Sequence, residues 1–202
     1  AAGPEIAEFE KHLADYTGVN YALAFSSGTS ALSTLLRAHN VKGKEVIVPS
    51  FTFIATANAV VLAGGIPVFA EVEEKTYGLD IEDVRKKITP NTKAVLIMQF
   101  SGYPCRDTLA LRELCKEKAI LFLEDAAEAF GAKIGEEFVG AMGDGGMLSF
   151  CQNKVITTGE GGAIITKNPE TYKKSNLIRS HGRVNDADYF RSTGAFDYTL
   201  AG

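Results

Sequence analysis

The stretch Tyr21-Ala-Leu-Ala-Phe-Ser-Ser-Gly-Thr-Ser-Ala-Leu-Ser-Thr-Leu-Leu-Arg-Ala-His39 decides the fold of this chain. Tyr21 to Phe25 is a short apolar run of the length of a buried strand. Ser26-Ser27-Gly28-Thr29-Ser30 then turns the chain, and the Ala- and Leu-rich segment beyond it reads as a helix ending near His39. A strand that feeds a helix through a glycine turn is the repeating unit of an α/β sheet covered by helices. The turn also carries chemistry. Free backbone N–H groups at a helix N-terminus, the helix dipole and small hydroxyls together make an anion site. A Ser or Thr that caps only its own helix explains the same residues, and both readings stand at this point.

Outward from this unit the alternation repeats. Residues 4–16 place Ile6, Phe9 and Leu13 on a helical period, with Gly18 as the stop. Further strands are expected at 45–48, 66–70, 94–98, 119–124, 146–149 and 162–166, and further helices at 52–63, 80–87, 107–118 and 169–181. No repeat period and no low-complexity tract interrupts the pattern, which predicts one compact unit. The stretch from about residue 184 onward is polar, aromatic and glycine-spotted, without a clear period.

The 202 residues suffice for one domain with a sizeable core but hardly for two, and 46% hydrophobic with 23% charged residues fits a soluble globular protein. A net charge of −4 with no Lys/Arg cluster argues against nucleic acid as a partner. The longest apolar stretch, 55–63, is broken by Asn58 and is too short to span a bilayer, so no membrane role is expected. Cys105, Cys115 and Cys151 form no Cys-x-x-Cys pair and point to reduced thiols, while His12, His39 and His181 are too scattered for structural zinc. No secretory or transit segment is read ahead of the first helix, so a cytoplasmic location is expected.

Four places carry further chemistry. Lys154 ends Ser149-Phe-Cys-Gln-Asn-Lys154 and is flanked by glycines on both sides, a poor setting for a solubilising charge. A desolvated lysine there can lose its proton and form a Schiff base. Asp125 closes the apolar run that begins at Ala119, which places its carboxylate at the carboxyl edge of the sheet. Such a buried carboxylate needs a cationic or donor partner, although capping a helix that starts at Ala126 explains it equally. Glu128 would then lie one turn along the same helix face. Phe53, after the second strand, can stack on a flat ring or simply pack in the core. A phosphate cup at Ser27, Gly28 and Thr29, an aromatic lid at Phe53, a carboxylate at Asp125, a hydroxyl at Ser149 and an amine at Lys154 together describe one cofactor, pyridoxal 5′-phosphate.

The segments Ser-Ser-Gly-Thr-Ser-Ala-Leu (26–32), Pro-Ser-Phe-Thr-Phe-Ile-Ala-Thr-Ala-Asn (49–58), Glu-Asp-Ala-Ala-Glu-Ala-Phe-Gly-Ala (124–132) and Ser-Phe-Cys-Gln-Asn-Lys-Val-Ile-Thr-Thr-Gly-Glu-Gly-Gly (149–162) resemble the DegT/DnrJ/EryC1/StrS aminotransferases. These are the nucleotide-sugar branch of the fold type I pyridoxal-phosphate enzymes. The resemblance implies a three-layer αβα fold with a mostly parallel mixed sheet. It implies that Lys154 carries the cofactor, that Asp125 pairs with the pyridinium, and that Gly28, Thr29 and Ser149 hold the phosphate. It further implies that Phe53 covers the ring and that Glu128 lies near the phenolic oxygen. Glu at 128 is most similar to the perosamine-synthase subgroup, which aminates a GDP-linked 4-keto-6-deoxy sugar. Dehydratase relatives have His where this chain has Lys154.

The implied reaction is amino transfer from glutamate to a nucleotide-linked keto sugar, in a homodimer of the full-length protein. The resemblance also implies a further C-terminal domain of comparable length, so residues 1–202 are expected to be the pyridoxal-phosphate-binding large domain alone. Where the family tends to show Gly-Tyr-Asn-Tyr-Arg, with the Asn reaching the partner's phosphate, this chain reads Gly194-Ala-Phe-Asp197-Tyr198-Thr199, and an Asp there would repel a phosphate. The alternative function is a regulatory or structural module that keeps the fold without turnover. A nucleotide-binding Rossmann protein is disfavoured, since no Gly-x-Gly-x-x-Gly follows the first strand.

Overall fold

In the computed structural model, which describes residues 3–182, strands and helices alternate as the periodicities require. The helices are α1 (Pro4–Thr17), α2 (Gly28–Ala38), α3 (Ile54–Leu62), α4 (Ile81–Lys87), α5 (Thr108–Lys118) and α6 (Pro169–Arg179). The strands are β1 (Tyr21–Phe25), β2 (Glu45–Pro49), β3 (Ile66–Ala70), β4 (Thr92–Met98), β5 (Leu121–Asp125), β6 (Lys133–Ile134), β7 (Glu137–Phe138), β8 (Gly145–Ser149) and β9 (Gly162–Thr166). Seven of them form one sheet in the order β1-β9-β8-β5-β4-β2-β3, while β6 and β7 make a separate hairpin. The Asp197 motif lies outside the described residues.

Strand direction fixes where a site can form. β3, β2, β4, β5 and β8 pair in parallel, whereas β9 runs antiparallel to both β8 and β1. Only β9 is therefore reversed, and Phe25, Pro49, Met98, Asp125 and Ser149 all end at one edge of the sheet. Gly162, the first residue of β9, sits at the same edge, in register with both Phe25 and Ser149.

The side-chain alternation of the strands builds two cores, one on each face. Leu23, Val46, Val48, Leu96, Leu123, Met147 and Ile164 pack with Leu32, Leu35 and Leu36 of α2 and with Ala59 and Val60 of α3. Their neighbours Ile47, Val95, Ile97, Phe122, Leu148 and Ile165 pack the other way, against Leu13 of α1, Val84 of α4 and Leu111 and Leu114 of α5. This is the mixed, mostly parallel three-layer arrangement expected. Because alternation continues to the strand end, Glu124 shares the face of Phe122 and Asp125 shares that of Leu123, so the two adjacent carboxylates are separated by the sheet.

Element boundaries shift for local reasons. Ala119 adopts φ 54° as the left-handed cap of α5, so the strand begins at Leu121 rather than at 119. Asp80 stands outside α4 as its N-cap, accepting from the N–H groups of Glu82 and Asp83. α6 ends at Arg179 because Ser180 closes it and His181 turns to φ 63°, with the Gly182 N–H donating to Leu177 O at 2.7 Å. The β6–β7 hairpin, too short to show a period, was not anticipated.

At Gly146 the sheet allows no side chain: an added Cβ would stand 2.0 Å from the backbone oxygen of Gly140. The obstacle is main chain that cannot rotate away. Gly146→Ala is expected to destabilise the fold by about 3 kcal/mol, the upper end of overpacking, which lowers the melting temperature by roughly 6–12 °C. A melting curve within a degree or two of wild type would contradict this packing.

Candidate active site

The α2 N-terminus forms one wall of the site. Ser27 is its N-cap, and its Oγ accepts from the Ser30 N–H at 3.1 Å. The first helical hydrogen bond runs from Ala31 N–H to Ser27 O. The N–H groups of Gly28 and Thr29 precede it and have no acceptor within the helix. The capping reading of Ser27 is thus met by its side chain, while the backbone beside it keeps the character of an anion site.

Close approach is enforced by glycine. A Cβ on Gly28 would meet Ser149 Cβ at 3.1 Å and Ser149 Oγ at 3.3 Å, and one on Gly162 would stand 2.5 Å from Gly28 N. The Ser149 hydroxyl is therefore pressed against the first turn of α2. Lys154 enters from the same side: its chain turns back through a Lys154 N–H to Cys151 O bond of 3.0 Å.

Asp125, at the end of β5, is 3% exposed. Its Oδ2 accepts from the Thr56 hydroxyl at 2.8 Å and its Oδ1 from the Ala127 N–H at 3.2 Å. Burial pushes its carboxyl above the ordinary range, opposed by the Thr56 bond, the Ala127 N–H and the Lys154 charge. It does not cap a helix. Residues 127 and 128 form a turn, so the helix expected after Asp125 is absent and Glu128 is not one helical turn along. Glu128 nevertheless reaches the site: its Oε1 lies 3.2 Å from Lys154 Nζ and its Oε2 accepts from Ser101 N–H at 2.8 Å. Ser101 makes that contact from a left-handed conformation, φ 53°.

Glu124, fully buried on the opposite face, is a structural hub. It accepts from the N–H groups of Gly140, Met142 and Gly143 and from Gln99 Nε2, which ties the loop before β8 to the sheet. Burial raises its carboxyl as well, and those donors pull it back.

One cavity of about 290 Å³ collects these groups. Ser27, Gly28, Thr29, Phe53, Asp125, Glu128, Ser149 and Lys154 all line it. Phe53 is 69% exposed at the mouth, so it is not a core residue. Thr56, Cys151 and Glu160 also line the cavity and were not anticipated, and Ser101 was missed behind Glu128. Cys151 Sγ donates to Glu160 Oε1 at 3.5 Å. Thr56 was within reach of sequence reasoning, as a polar residue in the first turn of a mostly apolar helix that starts at the sheet edge. A larger hollow of about 400 Å³ near the end of α2 is lined by Arg37, Lys42 and Lys174, with no carboxylate among its described lining residues.

The donors suit a phosphorylated aromatic cofactor. Asp125 is a buried carboxylate facing the cavity, and among the described residues its hydrogen-bond donors are neutral, which a protonated ring nitrogen would complement. The glycine-lined α2 N-terminus, with Ser149 beside it, offers N–H donors where a side chain would block a phosphate.

The sequence pattern of the DegT/DnrJ/EryC1/StrS aminotransferase family matches residues 1–201. The chain belongs to this family. GDP-perosamine synthase of Caulobacter vibrioides, a family relative, is 40% identical over 201 residues, which is 99% of this chain and 54% of that protein. The aminotransferase from Psychrobacter cryohalolentis superposes with a TM-score of 0.93 at 34% identity, over 99% of this chain and 52% of that one. The PLP form of Spr1654 from Streptococcus pneumoniae does so with a TM-score of 0.89 at 26% identity, over 100% and 55%. The chain spans about half the length of the curated relatives it matches. Among the described residues no helix is long and apolar enough to cross a membrane.

Proposed function

We propose that the full-length protein is a pyridoxal-phosphate-dependent aminotransferase that moves an amino group from glutamate to a nucleotide-linked 4-keto-6-deoxy sugar, with residues 1–202 as its cofactor-binding large domain. The observation that carries this reading is the placement of Lys154 Nζ in one cavity with the buried Asp125 carboxylate and the open N–H groups of α2. The similarity to a GDP-perosamine synthase supports a nucleotide-linked sugar as substrate.

Each residue then has a task. Gly28 and Thr29 donate backbone N–H groups to the phosphate, and Ser149 adds its hydroxyl. Phe53 shields one face of the ring from water, and Asp125 pairs with the ring nitrogen. When bound, the cofactor supplies an electrophilic carbonyl and a protonated aromatic ring that accepts an electron pair. Lys154 Nζ would hold the cofactor through its carbonyl carbon and, as a free amine, would take a proton from the donor's α-carbon. Glu128, fixed by Ser101 N–H, holds that amine in place by accepting a hydrogen bond from it.

Cytoplasmic location and a homodimeric full-length protein belong to the same proposal. Exposed apolar side chains gather on the segments that bear the site, including Phe53 at 69%, Ile54 at 61% and Val155 at 68%, and a second domain or subunit would cover them. To test the function, purified full-length protein is incubated with glutamate and a GDP-linked 4-keto-6-deoxy sugar. The expected result is visible-range cofactor absorption, an amino sugar and 2-oxoglutarate. A colourless protein that yields neither product overturns the reading.

A further inference from the structure

On the aminotransferase reading, Asp125 must stay an anion in a dry place, and few of the described residues hold it there. Ala127 N–H and the Thr56 hydroxyl are its hydrogen-bond donors, at 3.2 Å and 2.8 Å. Thr56 stands in the first turn of α3 and is 1% exposed, so its hydroxyl meets protein rather than water. Its other contact is Thr52 Oγ1, at 2.8 Å.

An ionised carboxylate can only accept, which settles the direction of both bonds. Thr56 donates to Asp125, its own oxygen is left as an acceptor, and Thr52 donates to it. The result is a short hydroxyl chain, Thr52 to Thr56 to Asp125, in which each bond polarises the next toward the carboxylate. The N-terminal dipole of α3 acts in the same sense. Of the charged groups facing Asp125, Lys154 favours the anion and Glu128 opposes it. The adjoining ends of β4 and β8 offer Met98 and Met147, which are uncharged.

We propose that Thr56, backed by Thr52, is a positioning residue that aims the Asp125 carboxylate into the cavity and keeps it ionised, and so sets how firmly the cofactor's ring nitrogen is held and protonated. Thr56 touches neither the amino donor nor the sugar in this scheme; it acts through Asp125.

The inference rests on the aminotransferase reading, and one experiment separates the two. Full-length wild-type protein and its Thr56→Val, Thr56→Ser and Thr52→Val variants are compared for pyridoxal 5′-phosphate affinity, for the pH midpoint of the bound cofactor's visible absorbance, and for kcat and KM. Thr56→Val preserves shape and removes the donor. It is expected to weaken cofactor binding about tenfold, the scale of a hydrogen bond to a charged group, to move the absorbance midpoint by about one pH unit, and to lower kcat with KM for the donor nearly unchanged. Thr56→Ser restores all three, and Thr52→Val shifts them in the same direction by less. A Thr56→Val protein with a lower melting temperature but wild-type affinity and midpoint overturns the proposal, because the hydroxyl then only packs. If Thr56→Val does not fold, unchanged affinity and midpoint in Thr52→Val overturn it instead. A wild-type protein that binds no cofactor defeats the aminotransferase reading and this inference together, whereas normal binding and transfer in every variant defeats this inference alone.

Discussion

Lys154→Ala is expected to abolish amino transfer, lowering turnover on the order of 10⁴-fold or more, the scale seen when the group that forms the covalent bond is removed. Among the described residues Lys154 is the one amine lining the cavity, so none of these neighbours takes its place. Lys154→Arg separates charge from nucleophilicity. It keeps a cation beside Glu128, and so the contact now made at 3.2 Å, but a guanidinium does not lose its proton near neutral pH. Both variants should fold. Alanine leaves Glu128 Oε2 still bonded to Ser101 N–H, and the Glu128 side chain is 29% exposed, so its other oxygen can meet water. Three measurements decide the matter: turnover, the melting temperature, and the mass of cofactor fixed to residue 154 after borohydride treatment. Normal melting with no turnover and no fixed mass in either variant is expected. Measurable transfer by Lys154→Ala, beyond about a hundredth of wild type, would remove Lys154 from the chemistry.

The sheet and its helices were legible because each element obeys one period at a time. Tyr21–Phe25 and Ile66–Ala70 were placed to the residue, since apolar runs bounded by turn residues leave little freedom. The short β6–β7 hairpin and the shifted start of β5 were not legible, because they depend on a two-residue turn and a left-handed Ala119. At the site, the residues whose chemistry is intrinsic stood out, Lys154 and Asp125 above all. The residues that work through geometry did not. Ser101 reaches Glu128 with a backbone N–H, and any residue type could have supplied that group. The alternative reading of Asp125 as a helix cap finds no helix to cap, and it is the turn at residues 127 and 128 that brings Glu128 to Lys154. Tertiary contact, not local pattern, makes that pair.

Asp125→Asn should separate stability from function. In the cofactor-free chain burial raises the Asp125 carboxyl above its ordinary value of 3.8, so the folded state keeps the proton to higher pH than the unfolded state does. Between 3.8 and the raised value the folded state binds more protons, and stability therefore falls as pH rises through that window. Above it the penalty stays at its full size. Asparagine carries no charge, and its amide can still meet both the Thr56 hydroxyl and the Ala127 N–H. Glu124, also raised by burial, is present in both proteins and cancels in the comparison. Melting of the cofactor-free proteins should then show the variant more stable than wild type at pH 7 to 8, with the two converging toward pH 4. The holoenzyme should behave in the opposite way. Without an anion to pair with the ring nitrogen, binding of pyridoxal 5′-phosphate weakens and turnover falls about 10²–10³-fold, as when one preorganised electrostatic partner is lost. An Asn variant that is less stable at every pH and still turns over would mean that Asp125 is a structural residue; the crossing of the two trends is what a buried charge kept for a cofactor requires.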